Sequence, residues 1–173
     1  MYNIPVENVR NFVLGGHSGS GKTALTDALA YKLGLNDRLG SPANGTSISD
    51  FTEEEKARKI SLFSTTFSSK YTVDGKEHLL YFTDAPGYMD FYGQLRSASP
   101  AADSGVLVVD AAGGIQVGTR RAWRCFKQTD VVSRAIVVTG LDKENTDFVK
   151  IIEAIRGAFG IGCIPVAFPN ADN

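Results

Sequence analysis

Gly16-His17-Ser18-Gly19-Ser20-Gly21-Lys22-Thr23 is the stretch whose reading decides the fold. It fits GxxxxGK[ST] at every fixed position, and its setting matters as much as its letters. Before it lies the apolar run Val9–Leu14, which reads as a strand. After it, Ala24, Leu25, Ala28, Leu29 and Leu33 recur at helical spacing until Gly34, so they are expected to form one buried stripe. Strand, glycine-rich loop and helix in that order make a cradle for polyphosphate. A phosphate chain carries several negative charges and needs backbone N–H groups turned inward, a turn that glycine permits because it has no Cβ. The helix N-terminus adds unpaired donors and the positive end of its dipole. Lys22 supplies a point cation for the terminal phosphates, and the Thr23 hydroxyl an oxygen ligand for Mg²⁺. Gly16, His17, Ser18, Gly19, Ser20 and Gly21 join Lys22 and Thr23 as candidate nucleotide contacts; nothing in its spacing makes His17 catalytic. The competing reading is a glycine-serine turn without a ligand, which needs four fixed positions to coincide by chance.

Outward from this loop, residues Asn36–Thr65 show no sustained period apart from a short helical candidate at Thr52–Lys59, and read as a long excursion. Thr65–Val73 and His78–Thr83 flank Asp74-Gly75, a strong hairpin signal, and are expected to pair antiparallel. Val106–Asp110 and Ala135–Thr139 are continuous apolar runs, the pattern of parallel strands covered on both faces. Helical patterns lie at about Met89–Ser97 and Val117–Gln128. Phe148, Ile151, Ile152, Ile155 and Phe159 give an amphipathic helix closed by Gly160, and Ile164–Phe168 reads as a last strand. The alternation predicts a three-layer α/β domain with a mostly parallel sheet and one antiparallel edge strand.

At 173 residues, the chain is expected to be a single domain over residues 1–173. With 43 % hydrophobic and 21 % charged residues it can bury a core and is not of the disordered class. A net charge of −1 offers no long-range attraction for nucleic acid or an anionic membrane, so no independent nucleic-acid binding is expected. Apolar stretches such as Gly105–Ala112 fall far short of a bilayer span. The N-terminal residues lack a secretory pattern. Cys125 and Cys163 lack ligand spacing and read as buried reduced thiols. Together these features predict a cytoplasmic monomer.

Two further clusters carry chemistry. Asp84-Ala85-Pro86-Gly87 ends the strand His78–Thr83, at the carboxyl edge where parallel sheets meet ligands. There a carboxylate can hold Mg²⁺ through water, and the Gly87 N–H can reach a terminal phosphate. An Asp-x-Pro-Gly turn also occurs wherever a strand merely ends. Thr139-Gly140-Leu141-Asp142 follows the strand Ala135–Val138. Asp142 could accept from N1–H and N2–H₂ of guanine, a donor pair adenine lacks. It could equally cap a turn before Lys143-Glu144-Asn145, and the residues alone leave both readings open.

Val9-Arg10-Asn11 before the loop, Asp84-Ala85-Pro86-Gly87-Tyr88-Met89-Asp90-Phe91, and Asp110-Ala111-Ala112-Gly113-Gly114-Ile115-Gln116-Val117 resemble, in that order, the G domain of bacterial elongation factor G. The resemblance runs from about Val9 to Pro169. Leu39-Gly40-Ser41 through Ile48-Ser49-Asp50-Phe51 look more like the elongation-factor-G-like paralogues. The resemblance implies a Ras-like P-loop NTPase fold and a translational GTPase with GTP/GDP and Mg²⁺ as ligands. It implies ribosome docking through the full-length protein. Gly16 to Thr23 would cradle phosphates, and Asp84, Ala85, Pro86, Gly87 and Tyr88 would form the second switch. Thr139, Gly140, Leu141 and Asp142 would read the base. Arg58-Lys59-Ile60-Ser61-Leu62 is similar to the RGITI segment of the first switch, which places Ser61 beside Thr23 and Asp84 in the Mg²⁺ shell. Lys22, Gly87 and Tyr88 would then carry catalysis.

The sequence departs from that family in four places. Tyr88 stands where the family has its water-orienting histidine, and a phenol is a poor proton acceptor at neutral pH. Gly140 replaces a lysine whose stem would pack on the guanine face, Thr139 replaces an asparagine, and Gly19 replaces an aspartate. Ile164-Pro165-Val166-Ala167-Phe168-Pro169 resembles the first strand of the family's inserted subdomain, so the resemblance implies a G domain incomplete at its C-terminus, with one sheet edge uncovered. The leading expectation is slow, Mg²⁺-dependent GTP hydrolysis. The alternatives are a nucleotide-gated ribosome-binding module with negligible turnover, and an ATP-using P-loop enzyme.

Overall fold

The computed structural model describes residues 4–144 and 146–169. In chain order the main elements are β1 (Val9–Gly16), α1 (Lys22–Lys32), α2 (Glu53–Arg58), β2 (Thr65–Val73), β3 (Lys76–Asp84), α3 (Tyr92–Ala98), β4 (Ser104–Asp110), α4 (Val117–Gln128), β5 (Ser133–Thr139) and α5 (Phe148–Phe159). One five-stranded sheet runs in the order β2-β3-β1-β4-β5. All neighbouring strands are parallel except β2 and β3, so the antiparallel strand lies at the edge, as the sequence predicts. Asp74 at φ 50° and Gly75 at φ 74° form the two-residue turn, which seats Val73 opposite Lys76. Two successive left-handed residues match the twist of the strands they join.

The core follows from alternation along the central strands. Val13 of β1 with Leu107 and Val109 of β4 meet Leu95 of α3, Ala122, Cys125 and Phe126 of α4, and Ile151 and Ile155 of α5. Leu14 and Val108, one residue out of step, are equally buried on the opposite face. Phe126 lies against the backbones of Gly15 and Gly105; a Cβ at either would come within 2.8 Å of its ring. No helix among the described residues is long and apolar enough to cross a membrane.

Four expectations are corrected. Helix α1 does not bury its apolar stripe: Ala24 and Ala28 are not buried, whereas Lys22, Thr26, Asp27 and Ala30 face inward. That face meets a charged loop and a polar excursion rather than an apolar layer. Strand β5 is not covered on both faces but forms the outer edge of the sheet, with Ser133, Arg134 and Ala135 exposed. Residues 164–168 do not form a strand. They have no ladder partner, and Phe168 instead packs edge-on against Phe148 at 5.8 Å while Val166 is 97 % exposed. With α5 and β5 they border an apolar groove of about 880 Å³. Cys125 is a buried free thiol as expected, but Cys163 is only half-buried.

Candidate functional site

The loop between β1 and α1 turns at the carboxyl edge of the sheet, with Gly21 left-handed at the start of α1. Lys22, 5 % exposed, folds back over this loop and donates to the His17 carbonyl at 2.8 Å and the Gly16 carbonyl at 3.4 Å. Burial strips water from its ammonium and lowers its pKa to about 8, against the attraction of Asp84, which acts to raise it. Gly87 presses on the same loop. A Cβ there would collide with the Lys22 ammonium and lie 2.8 Å from the Ser18 N and the His17 carbonyl oxygen. The second predicted cluster therefore meets the first through a residue that has no side chain.

Thr23, Ser61 and Asp84 come together although they are far apart in sequence. The Thr23 and Ser61 hydroxyls are 3.1 Å apart, and Asp84, 1 % exposed, ends β3 beneath them. Burial pushes the Asp84 carboxyl up to about 6, opposed by the Ser49 hydroxyl and Lys22. One oxygen accepts from the Ser49 hydroxyl at 2.8 Å; the other is buried without a hydrogen-bond partner. Sequence reasoning missed Asp50, which accepts from the Ser61 hydroxyl at 2.7 Å and lines the same cleft. Its pKa is also raised, first by burial. No periodicity pointed to it: Ser47, Ser49 and Asp50 are all buried, so the alternation of the two serines breaks at Asp50.

Carboxylates also hold the excursion over α1. Asp27, its pKa raised by burial, accepts from the Ser47 hydroxyl at 3.1 Å and the Ile48 N–H at 3.0 Å. Glu55 is fully buried and accepts from the Leu62 and Phe63 N–H groups at 2.9 and 3.2 Å through one oxygen. Its other oxygen takes the Thr52 N–H and hydroxyl at 3.0 and 2.8 Å, which completes the capping box of α2. Burial acts to raise the Glu55 pKa, but these donors outweigh it and hold the carboxyl below its usual range. The α2 expectation is borne out, with Thr52 and Lys59 as its caps.

A cleft of about 340 Å³ lies between Ser18, Gly19, Gly21, Lys22 and Thr23 of the loop, Asp50, Lys59–Ser61, Gly87 and Tyr88; Asp27, Glu55 and Asp84 stand behind its lining. That volume is at the lower end of the range for small-molecule sites. The groove beside β5 is larger but apolar, and none of the predicted phosphate-contacting residues lines it. Ala85 and Pro86 are buried beneath the cleft, whereas Tyr88 is 42 % exposed at its mouth. His17 is half-buried and touches Gly118.

Thr139, Gly140, Leu141 and Asp142 do not line this cleft but sit next to its loop. The Thr139 hydroxyl donates to the Ser20 carbonyl at 2.8 Å, tying the end of β5 to the phosphate loop. Leu141 packs against the core, and Asp142 is exposed. The turn that follows is closed by the Lys143 N–H on the Gly140 carbonyl at 3.3 Å. Asp147 caps α5 by accepting from the Val149 and Lys150 N–H groups. Asn145 lies outside the described residues.

The donors around Thr23 suit a hard cation. They are hydroxyl and carboxylate oxygens, one carboxylate oxygen is buried and unpartnered, and no cage of three or more acidic, His or Cys side chains occurs among the described residues. Mg²⁺ bound through few side chains together with water and phosphate oxygens fits that set. The model of the elongation factor Tu GTP binding domain matches residues 7–166.

The chain belongs to that family. It is 36 % identical over 164 residues to proteins named "Elongation factor G-like protein" in two strains of Mycobacterium tuberculosis, CDC 1551 / Oshkosh and ATCC 25618 / H37Rv. Those alignments cover 95 % of this chain and 22 % of each relative, so the chain spans about a fifth of their length. A crystal structure from Thermus thermophilus matches with a TM-score of 0.78 and 40 % identity, over 87 % of this chain and 22 % of that one. The P-loop GTPase fold and the family resemblance read from sequence are both borne out.

Proposed function

We propose that residues 1–173 act as a single GTP-binding domain of an elongation-factor-G-like translational GTPase, with slow, Mg²⁺-dependent GTP hydrolysis. The observation that carries this reading is the convergence of Lys22, Thr23, Ser61 and Gly87 on one cleft, with Asp84 buried beside Lys22 and Gly87 packed on the phosphate loop. Residues Gly16 to Thr23 hold the phosphates. Lys22 neutralises their charge, and the Gly87 backbone monitors the terminal one. Thr23, Ser61 and Asp84 would hold Mg²⁺, which would supply neutralisation of the phosphate charge. Thr139, Gly140, Leu141 and Asp142 receive the guanine. Tyr88 at the mouth orients a water without taking its proton, so turnover is expected to be low. Docking on the ribosome belongs to the longer protein and is proposed on family grounds alone, as is a cytoplasmic site of action.

Competition of GDP, GTP, ADP and ATP for one fluorescent guanine analogue tests the base. Guanine nucleotides should displace it at concentrations about 100-fold lower or better, the scale of two hydrogen bonds to a charged acceptor. ATP displacing it equally well would restore the ATP-using reading. The exposed phenol of Tyr88 also supports a second reading, a nucleotide-gated binding module with negligible turnover. Tyr88→His in a single-turnover assay separates the two. A rise in phosphate release of about 100-fold, the lower range of general-base catalysis, with unchanged GTP affinity, supports a slow GTPase poised for water attack. No rise supports the module.

A further inference from the structure

The space beside Gly140 is occupied by the side chains of Asp110 and Lys143. Gly140 is left-handed at φ +67°. A Cβ built on it would come within 2.7 Å of Asp110 Oδ1, 3.0 Å of Lys143 Cε and 3.1 Å of Lys143 Cδ. Lys143 thus reaches back across its own turn, and its Nζ donates to Asp110 Oδ1 at 2.6 Å. Asp110 is itself fixed. It ends β4 in register with Thr139, and its other oxygen accepts the Gly113 N–H at 2.8 Å.

We propose that the Lys143 stem, pinned by Asp110, is the wall on which the purine ring rests, and so a further binding residue of the base site. The inference rests on the guanine reading given above. Its chemistry is that of an amphipathic side chain: methylenes offer apolar contact to a flat ring while the ammonium keeps a charged partner. The Lys143 side chain is 53 % exposed despite its ion pair, so one flank of the stem remains open to a ligand, whereas the Asp110 side chain is only 16 % exposed. Thr139 bounds the place on the phosphate-loop side through Ser20, and Asp142 precedes Lys143 in the chain. An ion pair serving only to hold the turn would be lost equally in Lys143→Ala and Lys143→Met, whereas the wall survives in the Met variant.

The test titrates wild type, Lys143→Ala and Lys143→Met with GDP, inosine diphosphate and inorganic tripolyphosphate, each with Mg²⁺. The wall touches the ring and not its exocyclic amine. Lys143→Ala should therefore weaken GDP and inosine diphosphate by the same factor, about tenfold, and leave tripolyphosphate unchanged. Lys143→Met, which keeps a stem without the charge, should recover most of that loss. GDP affinity unchanged in Lys143→Ala overturns the wall, as does a loss shared equally by tripolyphosphate, which marks a disturbed phosphate loop. Wild type that binds GDP no better than ADP sinks the base-site reading itself, and that failure is visible before any substitution is made.

Discussion

The two sides of the molecule are held together by different forces. Beneath α4, Phe126 fills a fully buried apolar layer against Gly15, Gly105 and Leu95. Over α1, the excursion from Leu39 to Ser64 contributes one buried apolar side chain, Leu62, and is otherwise fastened by Asp27, Asp50, Glu55 and Asp84. Apolar burial is non-directional and insensitive to charge. Carboxylate hydrogen bonds are directional, exchangeable for water and tied to protonation and cations. The first side is suited to hold a scaffold, and the second to open and close at small cost, the end of the stability range from which moving segments are drawn.

The contrast is sharpest at Phe126. Phe126→Ala should destabilise the whole domain by about 3 to 5 kcal/mol, because the cavity lies between two glycine backbones that have no side chains to fill it. Denaturant unfolding measures this; a loss confined to the excursion would break the comparison. Asp84 gives the next effect. Its native pKa of about 6 lies above the 3.8 of the free side chain, so the folded state keeps a proton that the unfolded chain releases. Stability of the Mg²⁺-free protein should therefore be highest below about pH 4 with respect to this group and be lost as pH rises through 6, by up to about 3 kcal/mol. Asp84→Asn should remove that slope, read as the difference between the two pH–stability curves; parallel curves would refute the assignment. Glu55→Gln should have the smallest global effect, about 1 kcal/mol. It places an amide donor before one of the two donor pairs, Thr52 or Leu62 and Phe63, and leaves the other pair on a neutral oxygen in place of a charged one. Hydrogen exchange should speed up at the Leu62 and Phe63 amides and stay unchanged in β1 and β4; uniform acceleration would contradict a locally held excursion.

What was legible in the sequence follows the same division. Patterns local in the chain transferred well: the hairpin at Asp74-Gly75, α4 at Val117–Gln128 and α5 from Phe148 to Phe159. The phosphate loop, the Asp84 cluster and Ser61 were legible as motifs, and the structure brings them to one cleft. Apolar periodicity does not say which face is turned inward when the inner neighbour is polar, so the stripe of α1 pointed the wrong way. Nor does an apolar run say whether a ladder partner exists, which is why residues 164–168 read as a strand and β5 as a covered one. Asp50 on Ser61 and Lys143 on Asp110 pair side chains 11 and 33 residues apart. No periodicity encodes such partners; only the folded chain selects them.

The most direct test of the phosphate cleft is calorimetric titration of GTP into wild type and Lys22→Ala, each with and without Mg²⁺, with folding of both checked by circular dichroism. Wild type with Mg²⁺ should bind one equivalent. Either the substitution or removal of Mg²⁺ should weaken binding by about 100-fold or more, the scale of a lost charge-assisted contact in a buried site. Equal affinity of folded Lys22→Ala and wild type would contradict the account.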